Sequence, residues 1–460
     1  MGVAGSIRAL SGSPIAKRLL TTTLWSAVGD LMSKGAMLLS LVLAARILGK
    51  GAYGEFGLVR STISTFATFG GVGLGLTANK FVARFRDADK PYSGQIIGSS
   101  YVLAASFGGL IGLAVFASAG YLVRVMLDAP QLEGALRIAA FLLFLGSING
   151  AQLGILQGLE AYRRLAVGAA VQGTAALVFI VLGSWYFGLD GALAGLLIYT
   201  LGGAVIFQGL IYRETRQQGI RISYHSLDKI WPIFWSFSVP AALMGIAVAP
   251  FKWLAEVTLA KHSGFQNLGV FHASMTIANI ILALVSTLNA PLISLVANLP
   301  DAKASSRVLY VNLYGSWYVF LLLATPLVIF PELPGLLFGA RYQSPELQAA
   351  SLLLILYCGL LVYYQGIMRF VTQHGTMWFG LFTNLCEGAT LIVAFHYLGK
   401  YAAVGLGLAY ISSYVVRVLV TTPVLLTKKI VSPALIFDKY FIGTLLLFVA
   451  LVALRIGYTP

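Results

Sequence analysis

Four cationic side chains lie deep within apolar stretches of the chain: Lys34, Arg60, Lys252 and Arg417. A charge near the middle of a bilayer costs on the order of 3 kcal/mol on insertion scales, so a cation held there faces a partner or a water-filled cavity. Cations in a cavity wall attract anions, and the planar guanidinium of arginine suits two phosphate oxygens at once. These residues therefore predict a binding site for an anionic cargo.

Two acids are spaced to pair with two of these cations. Asp30 lies four residues before Lys34, and Glu256 lies four residues after Lys252, so each acid shares a helix face with a base. In one interpretation each pair neutralises itself and only joins helices. In the other, both pairs line a central cavity, where the acids tune the charge of the bases or take part in ion coupling.

The other charges within apolar stretches have no partner at helical spacing. Arg60 has no acid four residues away, so it either faces the cavity or extends along the helix to the outer surface. Arg417 has the same two alternatives, with the cytosolic surface as the second. Glu387 is isolated in its stretch, where it is either a protonated structural acid or a proton-coupling residue.

Three prolines interrupt apolar stretches near these charges. Pro240 and Pro250 lie in the stretch that holds Lys252, and Pro291 lies in the next one. Proline removes a backbone hydrogen bond and kinks a helix. Such a kink is either static or a hinge, and beside Lys252 it would also free carbonyl groups at the site. We expect a hinge.

The composition places these residues in a membrane protein. Of the 460 residues 58% are hydrophobic and only 10% are charged, and the mean hydropathy is +0.85, whereas soluble proteins carry about 25% charged residues. The net charge of +15 follows from basic loops, so no nucleic-acid partner is expected. Two cysteines in apolar stretches and five scattered histidines predict no disulfide framework, no metal site and no cofactor.

Thirteen stretches are long enough to span a membrane, which takes about 20 apolar residues. They lie near 21–48, 54–77, 95–122, 134–157, 165–187, 190–211, 232–259, 268–294, 308–330, 346–368, 376–398, 402–426 and 440–457. With the N-terminus in the cytosol, nineteen of the 31 Lys and Arg residues fall on the cytosolic side and eight on the other. That asymmetry predicts a cytosolic N-terminus.

Three short matches indicate an internal repeat. They are Gly54-Glu55-Phe56 with Gly269-Val270-Phe271 (offset 215), Gln157-Gly158 with Gln365-Gly366 (offset 208), and Gly188 and Ala192 with Gly399 and Ala403 (offset 211). Six spans per half give both halves the same topology. The sequence therefore predicts an all-α polytopic membrane protein of two parallel six-helix bundles, related by a pseudo-two-fold axis along the membrane normal, with a thirteenth C-terminal helix. Binding sites of such transporters lie between the repeats near the midplane.

The predicted organisation follows from the spans. A cytosolic segment, 1–20, precedes an N-lobe at 21–212 that holds spans one to six. A cytosolic linker at 213–231 leads to a C-lobe at 232–426 with spans seven to twelve. The C-terminal segment, 427–460, holds the thirteenth span.

No catalytic motif accompanies the buried charges. The sequence has no P-loop, no HExxH and no convincing nucleophile–base set. Asp87-Ala88-Asp89 spells the Asp-x-Asp of many glycosyltransferases, but without a nucleotide-binding domain around it we interpret it as a solvated charge run. We therefore predict a transporter rather than an enzyme, driven by an ion gradient, the membrane potential or the gradient of its cargo.

Three groups of residues carry a family resemblance. They are Ala44-Ala45-Arg46-Ile47-Leu48-Gly49 with Gly51-Ala52-Tyr53-Gly54-Glu55-Phe56-Gly57-Leu58, Gly73-Leu74-Gly75-Leu76 before Asn79-Lys80-Phe81-Val82-Ala83-Arg84, and Leu156-Gln157-Gly158-Leu159-Glu160-Ala161-Tyr162. Through them the chain resembles the polysaccharide-transporter (oligosaccharide/O-antigen type) branch of the multidrug/oligosaccharidyl-lipid/polysaccharide flippase superfamily, over at least residues 15–425. The thirteenth span departs from the twelve or fourteen that are usual there.

The resemblance implies an inward-opening V of two lobes in a bacterial inner membrane. It implies a cargo of polyprenyl-pyrophosphate-linked oligosaccharide, turned from the cytosolic to the periplasmic leaflet for cell-surface polysaccharide assembly. In such flippases a cationic lumen receives the pyrophosphate; Lys34 and Arg60 match by helix and depth, Lys252 by its place in the second lobe, and Arg417 only loosely. Membrane lipids and glycan polymerase and ligase proteins are the implied partners.

Three other functions compete with this one. A multidrug, organic-cation antiporter of the same superfamily would want an acidic cavity, whereas cations outnumber acids in the apolar stretches here. A membrane glycan polymerase or ligase would need a substantial periplasmic loop, and the largest outward loop, about 331–345, is short. A scaffold for glycan assembly without transport would not need Lys34, Arg60 and Lys252.

Overall fold

The computed structural model describes residues 14–225, 227–288, 306–373, 377–427, 433–436 and 438–458. The side chains of Asp30 and Pro240 and all of Pro291 lie outside the described residues, so those three predictions stay predictions. What is described is helices and turns, without a strand. Nine helices in these ranges are long and apolar enough to cross a membrane. The predicted all-α polytopic fold is confirmed.

The helices follow the predicted spans. The first half contains α1 (Pro14–Gly70), α2 (Val72–Phe85), α3 (Lys90–Tyr121), α4 (Glu133–Gly158) and α5 (Tyr162–Gln218). Two short helices, α6 (Leu227–Ile233) and α7 (Val239–Ile246), are joined by a π-helical turn at Phe234–Ser238. The second half contains α8 (Ala249–Ser286), α9 (Ser306–Ile329), α10 (Leu333–Phe338), α11 (Pro345–Gln373), α12 (Met377–Leu398), α13 (Ala402–Thr427), α14 (Pro433–Ile436) and α15 (Lys439–Tyr458). We call α1–α5 the N-lobe and α8–α15 the C-lobe.

Each lobe begins with a helical hairpin whose turn is one glycine. α1 turns at Gly49 (φ 75°, ψ 176°) and α8 at Gly264 (φ 82°, ψ 166°), a conformation that glycine adopts without steric cost. These positions differ by 215, the offset of the Gly54-Glu55-Phe56 repeat. Gly188 (φ 57°, ψ −133°) and Ala402 (φ 48°, ψ −125°) form a second matching pair. Matching backbone turns at matching offsets support the predicted repeat.

The lobes touch at the end that carries the two glycine turns. A Cβ atom at Gly54 would collide with the carbonyl oxygen of Phe265, and one at Gly269 would collide with that of Lys50. The two contacts are related by the repeat, since each glycine approaches the start of the opposite lobe's second helical segment. Glycine is therefore required at both positions of the repeated motif to let the backbones meet.

Side-chain hydrogen bonds extend this contact between the lobes. The Tyr53 hydroxyl lies 3.2 Å from the Thr276 hydroxyl, and both side chains are buried. The indole nitrogen of Trp253 donates to the Thr62 hydroxyl at 2.9 Å. These bonds close one end of the molecule along the hairpins of α1 and α8.

The segment between the lobes packs against the N-lobe. The Phe234 ring stacks on Phe107 of α3 with centroids 5.4 Å apart, and the Ser238 hydroxyl lies 2.6 Å from the Thr77 hydroxyl of α2. The chain then leaves the helix at Ala247 before α8 begins. The predicted seventh span is consequently two helical pieces, α6–α7 on the N-lobe and α8 in the C-lobe.

The thirteenth span is part of the C-lobe. The indole nitrogen of Trp317 in α9 donates to the Thr444 hydroxyl of α15 at 3.1 Å. The Phe441 ring of α15 stacks on Tyr363 of α11 with centroids 4.5 Å apart. α15 thus covers α9 and α11 with a packed aromatic face.

Candidate functional site

A cavity of about 560 Å³ lies between the lobes and is lined by both hairpins. We call it the interlobe cavity. Its polar and charged lining consists of Ser33, Lys34, Arg60, Ser61, Ser64, Tyr199, His272, Thr276, Asn279, Ser286 and Gln365. Since these side chains come from both repeats, the cavity lies where sites of repeat-built transporters are expected.

The hairpin at Gly49 brings the two N-lobe cations to this cavity. Lys34 and Ser64 lie fifteen residues on either side of that turn, so the two limbs of α1 present them at one level. Arg60 lies four residues closer to the turn, and its guanidinium is 5.7 Å from the centre of the Phe56 ring. The structure thus places Lys34 and Arg60 in the wall of one cavity, and their role in binding a cargo stays a prediction.

The described lining of the cavity holds two cations, Lys34 and Arg60, and no Asp or Glu. Lys34 is exposed and Arg60 is half-buried. Among the described residues, no carboxylate comes within 4.0 Å of the Arg60 guanidinium. The planar guanidinium of an arginine in such a wall is suited to bidentate contact with phosphate oxygens.

A buried acid lies just behind the cavity wall. Glu256 and His272 face each other across the α8 hairpin, with His272 Nε2 3.7 Å from Glu256 Oε2. Both atoms are buried without a hydrogen-bond partner in the described part of the chain. The His272 ring fills the space in which a side chain at Gly57 would stand, so this pair lies against the N-lobe. Glu256 is thus a buried titratable group at the contact between the lobes.

The other two cations occupy a different place, within the C-lobe. Lys252 Nζ lies 3.1 Å from Glu387 Oε1, and Arg417 Nη1 lies 2.5 Å from Glu387 Oε2. Glu387 is fully buried. One carboxylate between two cations leaves a net charge of +1, and the carboxylate offsets part of the desolvation cost of both cations. We call these three residues the Glu387 cluster.

Tyrosines surround the Glu387 cluster. The Arg417 guanidinium lies 4.5 Å from the centre of the Tyr364 ring and 5.5 Å from that of Tyr414. Lys252 Nζ donates to the Tyr357 hydroxyl at 3.2 Å and lies 5.6 Å from the centre of the Tyr410 ring. Aromatic faces attract cations, more strongly where water is excluded. The tyrosines therefore help to hold two like charges close together.

Several predictions about these charges need correction. Lys252 and Arg417 do not line the interlobe cavity, and Lys252 is paired with Glu387 rather than with Glu256. Glu387 is not isolated, because its partners come from α8 and α13, which are distant in sequence. Arg417 does not extend to the surface, because its side chain is only 13% exposed. Helical spacing finds partners on the same helix and misses these.

The sequence reasoning also missed residues that complete both sites. His272 and Tyr199 of the cavity carried no pattern of their own. The tyrosines of the Glu387 cluster did carry one, since Tyr357 and Tyr364 are seven apart on α11, and Tyr410 and Tyr414 are four apart on α13. Both spacings place two rings on one helix face. That signal could have located the surroundings of Arg417.

The prolines and the acidic loop have local explanations. Pro250 is the second residue of α8, where proline is tolerated because the first helical N–H groups are unpaired anyway. It therefore starts a helix after the break at Ala247–Val248 instead of kinking one in its middle.

Asp89 caps α3 by accepting from the Tyr92 amide at 2.9 Å, and Asp87 pairs with Arg86, in keeping with a surface charge run.

A family match and a set of similar structures place the chain among known proteins. A family model described as "Polysaccharide biosynthesis protein" matches residues 19–296, more than half of the chain. A comparison with curated proteins gave no match. The family match covers the N-lobe, the segment α6–α7 and the α8 hairpin.

Solved structures with a similar fold cover nearly the whole chain. An inward-facing multidrug resistance MATE family transporter of the MOP superfamily has a TM-score of 0.65 and 16% identity over 88% of this chain and 99% of its own. An outward-facing structure of such a transporter has a TM-score of 0.59 and 15% identity over 90% and 95%. At this identity the likeness shows the fold, which is that of MOP superfamily transporters.

One further neighbour has been described in terms of the polarity of its binding pocket. It is a MOP superfamily transporter from Pyrococcus furiosus, described with the words "reverse polarity of binding pocket suggests different function". Its TM-score is 0.59 with 15% identity over 93% of this chain and 97% of its own. For that transporter, the polarity of the binding pocket has been linked to a different function.

Proposed function

Because the chain belongs to the polysaccharide biosynthesis protein family, we propose that this membrane transporter is a flippase for a polyprenyl-pyrophosphate-linked oligosaccharide. The observation that carries the proposal is the interlobe cavity with Lys34 and Arg60 in its wall and no acid in its described lining. A pyrophosphate carries several negative charges and cannot cross hydrocarbon bare. Two cations and the water in the cavity replace the hydration that the pyrophosphate loses when it leaves the membrane surface.

The polar lining suits the sugar part of such a cargo. Asn279, Gln365 and Thr276 supply amide and hydroxyl groups from the C-lobe, and Ser61 and Tyr199 supply hydroxyls from the N-lobe. Sugars offer many hydroxyls that need hydrogen-bond partners once water is displaced. A wall of mixed donors and acceptors accepts a range of glycans, while the charges fix the pyrophosphate.

Transport would proceed by rocking of the lobes around the cavity. The contact at Gly54 and Gly269 closes one end of the molecule, and with a cytosolic N-terminus that end is periplasmic. The cargo would then enter from the cytosolic leaflet of a bacterial inner membrane and leave after this contact opens. Gly54 and Gly269 are the points at which the lobes separate.

The Glu387 cluster has a supporting role in this proposal. Lys252, Arg417 and Glu387 together carry a charge of +1 in the C-lobe, which adds to the positive field without direct contact with the cargo. Glu387 contacts both of these cations. Glu256, buried against His272 and close enough to Arg60 for electrostatic interaction, is the better candidate for ion coupling, with Asp30 as the second.

A multidrug antiporter is the second candidate, because multidrug transporters share the fold. Such a protein would bind organic cations and would want acids in its cavity. Lys34 and Arg60 would repel that cargo. Membrane lipids surround the transporter in either case, and glycan polymerase and ligase proteins are proposed partners for the flippase alone.

The decisive experiment measures the leaflet of the lipid-linked glycan in sealed proteoliposomes. An impermeant sugar-cleaving reagent added outside reports how much glycan wild type exposes, compared with a Lys34→Ala/Arg60→Ala double variant. Arg213→Ala/Arg216→Ala is the matched control, because it removes two exposed cations that lie outside the cavity. Exposure by wild type and control but not by the cavity variant supports the flippase. If wild type leaves the pool protected with and without an ion gradient, and accumulates organic cations instead, the antiporter is correct.

A further inference from the structure

Two cationic side chains reach from one lobe to the other at the end where the lobes touch. Arg46 of α1 donates from Nη2 to the carbonyl oxygen of Leu336 in α10, at 3.2 Å. Lys261 of α8 donates from Nζ to the carbonyl oxygen of Val125 in the N-lobe, at 3.0 Å. The first bond runs from the N-lobe to the C-lobe, and the second runs in the opposite direction. We call these two hydrogen bonds the clasp.

The two donors of the clasp are related by the internal repeat. Arg46 precedes the turn of α1 at Gly49 by three residues, and Lys261 precedes the turn of α8 at Gly264 by three. The donors are therefore offset by 215, as the two turns are. Both donors are exposed. The repeat thus places one cation at the same point of each helical hairpin.

The two acceptors are related in the same way. Val125 lies in the π-helical turn Leu122–Met126 that follows α3, three residues before Asp128, which has a φ of 52°. Leu336 lies in α10, three residues before Gly339, which has a φ of 91°. The acceptors are offset by 211, as are the two residues with positive φ. The backbone therefore ends a helical segment and turns at the same point of each lobe.

The accepting carbonyls lie at helix ends, where a cation is a suitable donor. The last four carbonyls of a helix have no partner within it, and the partial negative charge at this end favours cations. Leu336 is the third residue from the end of α10, and Val125 is the second from the end of its π-helical turn. Each lobe thus supplies a charged donor to a helix end of the other lobe.

The clasp is accessible to water, which suits contacts that must break and form again. Val125 is 55% and Leu336 56% exposed, and both donors are exposed as well. When the lobes separate, water can replace each hydrogen bond, and no charge is left buried. The Glu387 cluster differs, because its acid is fully buried and joins helices of a single lobe.

We propose that the clasp reversibly holds the lobes together at this end, and that both of its bonds must break for the cargo to leave. This rests on the proposed function, because it assigns the clasp to the rocking of the lobes. The repeat axis runs along the membrane normal, so the two related bonds lie on opposite sides of it. A pair in this arrangement resists separation on both sides, which one bond alone does not.

Spin-label distances across this end test the clasp with the full chain in lipid nanodiscs and without cargo. The labels are placed at Asp190→Cys and Tyr401→Cys, which are exposed and are offset by 211. They lie beside the hairpin turn of α5 and the turn between α12 and α13, which the order of the spans puts on the same side of the membrane as the clasp. The background is Cys386→Ser, because Cys358 is buried.

Removal of both donors should open this end. Arg46→Met/Lys261→Met keeps the apolar part of each side chain and removes the hydrogen bonds. We expect the ratio of open to closed distances to rise about tenfold, since each lost bond has a modest net effect. Either single variant should give a smaller rise. A double variant with the wild-type ratio overturns the proposal.

Conservative and control variants separate the hydrogen bonds from charge. Arg46→Lys should behave as wild type, because lysine is the donor at the related position. Arg213→Met/Arg216→Met removes two exposed cations at the C-terminal end of α5 and should leave the ratio unchanged. If Arg46→Lys opens this end as far as Arg46→Met, or if the control opens it as far as the double variant, the proposal is wrong.

A reversible cross-link distinguishes failure of the clasp from failure of the proposed function. Arg46→Cys/Leu336→Cys, joined by a short bis-methanethiosulfonate, should expose no lipid-linked glycan in proteoliposomes, should still bind polyprenyl diphosphate, and should recover on reduction. If the cross-linked protein still exposes glycan, the clasp does not have to open. If wild type exposes no glycan but the distances respond to Arg46→Met/Lys261→Met, the clasp stands and the flippase is wrong.

Discussion

The Lys252 ammonium and the Glu387 carboxylate are 3.1 Å apart, although they come from α8 and α12. Arg417 of α13 holds the other oxygen of the same carboxylate. Three helices of the C-lobe thus meet at one buried acid. This arrangement gives the C-lobe a buried charge cluster of its own, whereas Lys34 and Arg60 of the N-lobe line the interlobe cavity.

Loss of the shared acid should destabilise the protein. In Glu387→Gln, Lys252 and Arg417 would face each other without the carboxylate, and breaking a buried ion pair in this way costs about 3 kcal/mol. We expect a lower free energy of unfolding in mixed micelles titrated with sodium dodecyl sulfate. Glu332→Gln, at an exposed acid, is the control. Addition of Arg417→Met to Glu387→Gln should restore part of the loss; a stable single variant would show that the cluster contributes nothing.

The lobe contact should depend on glycine at the repeated motif. Gly54→Ala would place a Cβ atom against the carbonyl of Phe265, whereas Gly51→Ala, three residues earlier, would meet nothing. We expect Gly54→Ala to hold the lobes apart at this end and to lower transport, while Gly51→Ala behaves as wild type. Spin-label distances across this end measure the separation. Unchanged distances in Gly54→Ala would contradict closure at this contact.

The guanidinium of Arg60 should matter beyond its charge. Lysine keeps the charge but loses the planar fork, so Arg60→Lys should bind polyprenyl diphosphate about tenfold more weakly, and Arg60→Gln more weakly still. Titration calorimetry with the protein in nanodiscs measures both. Arg46→Lys, at an exposed arginine outside the cavity, should bind like wild type. Equal affinity in Arg60→Lys and wild type would mean that only net charge is recognised.

Glu256 should carry the response of transport to an imposed proton gradient. Glu256→Gln keeps the shape of the side chain and removes its titration, so an imposed gradient should no longer change the rate of glycan exposure in proteoliposomes. The free energy of unfolding of the variant is measured alongside, because Glu256 also interacts with Ser61, Lys252 and Arg60. A retained response in Glu256→Gln would exclude this residue, and Asp30→Asn would then be tested in the same way.

The repeat was readable from the sequence because it is encoded in local conformation. Gly49 and Gly264 adopt nearly the same positive φ at the same offset as the Gly54 and Gly269 motif. Glycine is the residue that such turns and such close contacts require. Membrane spans were readable for a similar reason, since each must be apolar over about 20 residues wherever it packs.

The sequence by itself determined the membrane class, the spans, the two repeats and the positions of the buried charges, because each depends on composition, periodicity or local backbone conformation. Only the tertiary structure decided which charges meet. Lys34 and Arg60 face a common cavity because one hairpin turns at Gly49, whereas Lys252 and Arg417 are drawn to Glu387 because α8, α12 and α13 pack together. Ion pairing between helices depends on distances in space, which spacing along a single helix does not contain.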